Sequence, residues 1–124
     1  MLPLVNGKPD WEHPLSIDWT RLKKLVRESL QSYNYIIVEG LLAFHDPELV
    51  DLMNHKIFLE ISKQLFVERK RKDLRWGLEP EWYIQHIWES YIKYGRPSLS
   101  KDYICLNGAR PYDLKLLLDT ILGL

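Results

Sequence analysis

The chain predicts an α/β fold, a three-layer arrangement with a parallel sheet flanked by helices. Three observations carry that reading. Short, mostly apolar runs stand at Tyr35–Val38, Lys56–Leu59 and Tyr103–Leu106. Segments of helical period separate them, and strands alternating with helices imply a parallel sheet joined by crossovers. The first run, rich in β-branched residues and without polar alternation, suits a strand covered on both faces. It ends on Glu39-Gly40, an acid where open α/β sheets bind ligands, followed by a glycine that allows a sharp turn. Glu39 is either that ligand-binding acid or a carboxylate at a solvent-facing strand end.

The 124 residues suffice for one domain, 1–124, with one moderate core. Hydrophobic residues at 46% and aromatics at 12% argue for a folded chain. Lys+Arg and Asp+Glu balance at 17 each, so no net field draws the protein to nucleic acid or a membrane. No stretch approaches the ~18 apolar residues of a membrane span, and the start lacks a signal-peptide pattern. A cytoplasmic or nuclear location is the expectation. The single cysteine, Cys105, excludes an internal disulfide; its apolar neighbours predict an inert buried thiol.

Taken in order, Met1–Pro14 carries Pro3, Gly7, Pro9 and Pro14 and reads as an extended loop. Within it, Trp11 and Glu12 offer a flat ring and a hydrogen-bond acceptor, as a sugar-bearing ligand requires. Local sequence alone favours the plainer reading, a tryptophan that tacks the loop to the body. Ser16 is a plausible cap for a helix to about Gln31, with Trp19, Leu22, Leu25, Val26, Ser29 and Leu30 forming one covered face and Lys23 among the solvated residues. Asp46-Pro47 starts a short helix within His45–Asn54. His45 has no second His or Cys at ligand spacing, so a metal cage is not expected.

Ser62 caps the next helix, which turns basic at Arg69, Lys70, Arg71, Lys72 and Arg75. Arg71 and Arg75 share a helix face and suit phosphate oxygens. A solvated basic face and a nucleic-acid patch are the other readings of the run. Trp76–Pro80 breaks that helix, and Glu81–Tyr94 is helical again, with His86 read as a satisfied core histidine. Asn107-Gly108 is a turn, and Asp113–Leu122 closes the chain with Leu114, Leu117, Leu118 and Ile121 inward. No repeat or second domain is evident.

Trp11-Glu12-His13-Pro14, Ile37-Val38-Glu39-Gly40-Leu41-Leu42, Arg71-x-x-x-Arg75 and His86-x-Trp88-x-x-Tyr91-x-Lys93-Tyr94 together resemble the uridine-kinase-like P-loop kinases, most closely the nicotinamide riboside kinases. The resemblance covers essentially the whole chain and implies transfer of the ATP γ-phosphate to the 5′-hydroxyl of nicotinamide riboside or a related nucleoside. It implies Mg²⁺ and ATP as cofactors, with Glu39 helping to hold the metal. Trp11 and Glu12 would grip the nucleoside, Glu12 standing where the family usually has the shorter Asp. Arg71 and Arg75 would neutralise the transferring phosphate from a lid spanning about 62–80, and Lys72 would touch substrate. Trp76 would stack on the base, and Gly108 and Arg110 would border adenine. Glu39 is expected to face the same side as the two arginines.

One part of the pattern is not in these residues. The sequence contains no G-x-x-x-x-G-K-[ST] motif, the loop whose amides and lysine cradle phosphates. The family's general base is also unmatched, so the chain reads as the C-terminal two-thirds or so of such a kinase, inactive in isolation. In the family the strand feeding that loop lies between the strands matching Tyr35–Val38 and Lys56–Leu59. Open edges there would seat the missing segment or promote self-association. The alternative is a non-catalytic remnant that binds a nucleoside or a partner protein.

Overall fold

The computed structural model describes residues 1–98 and 102–123. The chain opens with an antiparallel hairpin of β1 (Leu4–Val5) and β2 (Lys8–Pro9), Leu4 opposite Pro9. Its turn residues Asn6 and Gly7 have φ of 48° and 76°, the conformation a two-residue hairpin turn demands. The extended loop expected here is therefore corrected. Asn-Gly is itself a hairpin signal, and it prevails over the nearby prolines.

A 3₁₀ turn at Pro14–Ser16 leads to α1 (Trp19–Ser29). The cap of α1 is Asp18, whose Oδ1 accepts the Arg21 N–H at 3.0 Å, and not Ser16. The covered stripe is narrower than its spacing suggests, because Leu25 and Leu30 are exposed while Val26 is buried. Lys23 is not simply solvated. It bridges Asp46 at 3.2 Å and Glu48 at 3.0 Å, joining α1 to α2 (Pro47–Asp51), which Asp46 caps.

The parallel sheet, among the described residues, has two strands. β3 (Ile57–Glu60) pairs with β4 (Ile104–Asn107), Ile57 opposite Ile104 and Glu60 opposite Asn107. Each lies one residue later than its apolar run suggested. Tyr35–Val38, expected as a third strand, runs without a ladder, and Ile37 is 86% exposed. An apolar run specifies a segment suited to burial, but a strand also needs a neighbour for its N–H and C=O groups. The chain thus has a mixed helix–strand fold with a small parallel sheet, an α/β arrangement.

Between the paired strands lie α3 (Lys63–Lys72), capped by Ser62, and α4 (Glu81–Ser90), which widens into a π turn at Tyr91–Gly95. α5 (Leu114–Leu122) is capped by Asp113 and ended by Gly123 in the left-handed conformation. Leu114 and Leu118, expected inward, are exposed. Cys105 is exposed as well, correcting the buried thiol. Local desolvation and the Glu60 carboxylate raise its pKa, so the thiol is still a poor nucleophile.

Phe58 of β3 centres the core. Its ring stacks on Tyr91 at 6.1 Å and meets Phe44 and Tyr103 edge-on, an arrangement that aromatic quadrupoles favour. Leu42, Leu49, Val50, Ile84 and Ile87 complete the buried set with Val26. The accessible surface is 9378 Å² for 14.8 kDa, against about 7000 Å² for a compact monomer of that mass. Large apolar side chains, Ile37, Leu78 and Leu114 among them, lie exposed. No described helix is long and apolar enough to cross a membrane.

Gly95 is where α4's extension passes the turn after Gly40. A Cβ at Gly95 would stand 2.5 Å from the Leu41 carbonyl oxygen, so one backbone must yield. Gly95→Ala is expected to cost about 1–3 kcal/mol, the usual penalty of overpacking, measurable as a lowered urea midpoint. An unchanged midpoint would show that the two segments are not in close contact.

Candidate functional site

The loop after β2 is shaped by a carboxylate. Asp10 is only 7% exposed; its Oδ1 accepts the Glu12 N–H at 3.1 Å and lies 2.8 Å from His86 Nε2 on α4. Since a carboxylate only accepts, Nε2 carries the hydrogen. Next, Tyr83 OH donates to Glu12 Oε1 at 3.0 Å. Burial, then the Glu12 charge, pushes the Tyr83 pKa well up, so the phenol stays a donor. His13 meets Tyr94 edge-on at 5.4 Å, and Trp19 Nε1 donates to the Pro14 carbonyl at 2.9 Å. The loop therefore rests on α4 and its π extension on one side and α1 on the other.

This docking lines a cleft of about 240 Å³ with Trp11, Glu12, Val38, Glu39, Gly40 and Leu42 among its walls. Gly40 has φ of 145°, a region that favours glycine, and its carbonyl accepts the Ala43 N–H at 3.2 Å. The turn leaves Glu39 exposed at the cleft, with no hydrogen-bond partner among the described residues. Three of the residues singled out in the sequence, Trp11, Glu12 and Glu39, thus come together from two distant segments. A flat ring, an oriented carboxylate and a free carboxylate suit a nucleoside with phosphate chemistry beside it.

For Mg²⁺ the fit is that of a shared site. Among the described residues no group of three or more His, Cys, Asp or Glu side chains is arranged to hold a metal. A lone Glu39 matches the way Mg²⁺ is commonly held, by one or two carboxylates with phosphate oxygens and water.

The basic residues lie elsewhere. Arg71 and Lys72 line an open groove of about 590 Å³ along α3 with Lys63, Gln64, Val67 and Glu68. Arg71 and Arg75 are both held by acids. Arg71 makes a two-point contact with Glu81, at 2.9 and 3.0 Å, and Arg75 one with Asp73, at 2.9 and 2.7 Å. These hydrogen bonds lower the Glu81 and Asp73 pKa values and raise those of the arginines. Lys72 reaches Glu68 at 3.4 Å, and Lys70 pairs with the largely covered Glu79 at 2.8 Å. Trp76 is 81% exposed. No described contact joins Glu39 to Arg71 or Arg75. Gly108 is tied to α3, since its carbonyl accepts from Arg69 at 2.8 Å and a Cβ there would collide with Ile61. Arg110 is exposed beyond it.

Sequence reasoning passed over Asp10, Tyr83, Asp73 and Glu81 as site residues. The period of Glu81–Tyr94 placed Tyr83 only on an apolar line with Ile87 and Tyr91. The satisfied histidine read at His86 agrees with its bond to Asp10.

Comparison with known proteins finds partial similarities. The similarity is to uridine kinases. Uridine kinase-like protein 3 of Arabidopsis thaliana is 38% identical over 69 residues, 56% of this chain and 14% of that protein. The chloroplastic uridine/cytidine kinase of the same plant is 36% identical over 97 residues, 77% of this chain and 19% of its own length. A uridine kinase of Oceanobacillus iheyensis is 30% identical over 92 residues, 73% of this chain and 40% of that protein. The matches thus span 14 to 40% of these relatives' lengths. No family model matches the chain, and no solved structure matches it significantly. These partial similarities are to uridine-kinase-like proteins. They do not single out nicotinamide riboside kinases.

The exposed Arg71–Glu81 pair yields a direct test. Because the Arg71 hydrogen bonds lower the Glu81 pKa, the carboxylate keeps its charge to lower pH than a free glutamate, and the pairing is lost as pH falls through that lowered pKa. Glu81→Gln at neutral pH should release the guanidinium and tighten pyrophosphate binding about two- to fivefold, the scale of a surface ion pair. Calorimetric titration showing no gain would mean that Arg71 does not meet anions from this groove.

Proposed function

We propose that this chain forms the nucleoside-binding and lid portion of a P-loop nucleoside kinase, which moves the γ-phosphate of ATP to the 5′-hydroxyl of nicotinamide riboside or a close relative. The single observation that carries this reading is the convergence of Trp11, Glu12 and Glu39 on one cleft. Trp11 stacks on a flat ring, and Glu12 accepts from ribose hydroxyls. Glu39 would hold Mg²⁺ together with phosphate oxygens; the ion, when bound, neutralises charge on those oxygens. Arg71 and Arg75 leave Glu81 and Asp73 to meet the transferring phosphate, with Lys72 beside them. Exposed ion pairs are weak enough to be exchanged for a doubly charged phosphate. Trp76 supplies a second stacking surface, and Gly108 and Arg110 border adenine.

Positioning and electrostatics supply most of phosphoryl-transfer catalysis. The 124 residues hold no glycine-rich phosphate cradle, so in this reading the cradle comes from another polypeptide segment. The open edge of β3 and the unladdered Tyr35–Val38 run are suited to seat an added strand, which would complete a three-layer parallel sheet. The same lack of a cradle favours a second reading, a non-catalytic remnant that keeps nucleoside binding alone.

Joining a strand and Gly-rich phosphate loop to the chain decides between them. We expect a raised melting temperature, Mg²⁺-dependent ATP binding and turnover of nicotinamide riboside, uridine or cytidine, while the unmodified 124 residues show none. Arg75→Ala in the joined protein should lower turnover at least tenfold with little change in melting. Stabilisation without nucleotide binding would overturn the kinase reading in favour of the remnant. Turnover of uridine but not nicotinamide riboside would correct the acceptor.

A further inference from the structure

We infer that Tyr83 and His86 of α4 are positioning residues for nucleoside binding, holding the Trp11–Glu12 loop against the cleft and aiming the free oxygen of Glu12 into it. The inference rests on the reading of Glu12 as the acceptor of ribose hydroxyls. Tyr83 and His86 are three residues apart and share one helix face, with ring centroids 6.2 Å apart. From that face one side chain holds the loop's backbone and the other its functional carboxylate.

His86 acts on the backbone. Its Nε2 lies 2.8 Å from Asp10 Oδ1, and the same oxygen accepts the Glu12 N–H. A buried carboxylate that loses its partner is strongly disfavoured, so the Asp10 turn, and with it the path of Trp11 and Glu12, depends on His86. Tyr83 acts on the side chain. Glutamate has several rotatable bonds, and burying or fixing it costs rotamer freedom. The Tyr83 hydroxyl at 3.0 Å occupies Oε1. Oε2 carries no hydrogen bond among the described residues, while Glu12 lines the cleft. One oxygen is anchored and the other is left to accept. A ligand hydroxyl then meets a carboxylate already oriented, and less freedom is lost on binding.

Hydroxyl dependence separates positioning from mere packing. On the 124-residue protein, uridine and 2′,3′-dideoxyuridine are titrated by calorimetry, and amide hydrogen exchange is followed at Glu12 and Leu15. Tyr83→Phe keeps the ring and should weaken uridine about tenfold while leaving dideoxyuridine, exchange and melting unchanged. His86→Ala should accelerate exchange at Glu12 at least tenfold and weaken both nucleosides, and His86→Gln, which restores a donor to Asp10, should recover much of both. Equal losses for the two nucleosides in Tyr83→Phe, or exchange in His86→Ala matching the parent, would overturn the inference. If the parent protein bound neither nucleoside, the kinase reading and the aiming of Glu12 would both fall. The exchange comparison would still decide whether His86 holds the loop.

Discussion

A carboxylate that is 7% exposed sets the geometry on which the site depends. Asp10 cannot be left unpaired at that depth without a large penalty. Its partners are the Glu12 amide within the loop and His86 on α4, and its own N–H bonds the Pro3 carbonyl at 2.8 Å. One residue thereby links the hairpin, the loop and the helix. Trp11 and Glu12 follow immediately in sequence, so fixing Asp10 fixes where a stacking ring and an acceptor stand. The opposite wall is set by Gly40, whose backbone lets the chain turn directly after Glu39, and by Gly95, which lets that turn lie against α4's extension.

The strand ladder is a weaker foundation. Among the described residues β3 and β4 pair only with each other, and their core rests on Phe58 and the aromatic rings around it. Ile37, Tyr35 and Leu59 remain largely exposed. An apolar extended run without a ladder and a short parallel sheet each leave surface that another strand would stabilise, since parallel sheets are normally covered on both faces. The proposed kinase needs this physically. A phosphate cradle must be delivered near the cleft, and a strand is the element such a surface would take.

Helix identity was largely legible in the sequence. Ser62, Asp46-Pro47 and the alternating apolar lines of Glu81–Tyr94 gave α3, α2 and α4 because capping and period act locally. The cap of α1 was misassigned to Ser16, since Pro14–Ser16 takes up a 3₁₀ turn first and Asp18 then starts the helix. Tyr35–Val38 shows the limit of an apolar run, as pairing depends on a neighbour that local sequence does not contain. Leu114 and Leu118 were expected inward for the same reason; period names a face but not whether anything covers it. Within the site, the aromatic–acid pair and the acid before Gly40 were legible as types, though no strand leads to Glu39. Their meeting in one cleft rests on Asp10, Tyr83 and His86, whose contacts cross more than seventy positions of chain.

The central claim is that Trp11, Glu12 and Glu39 form one nucleoside-binding cleft. Its most direct measurement is a two-dimensional NMR titration of the labelled 124-residue chain with nicotinamide riboside. The account predicts saturable shifts of the Trp11 indole and of the Glu12, Gly40 and Leu42 amides, with the α5 amides unmoved. Shifts confined to the Lys63–Lys72 groove, or none at millimolar nucleoside, would contradict it.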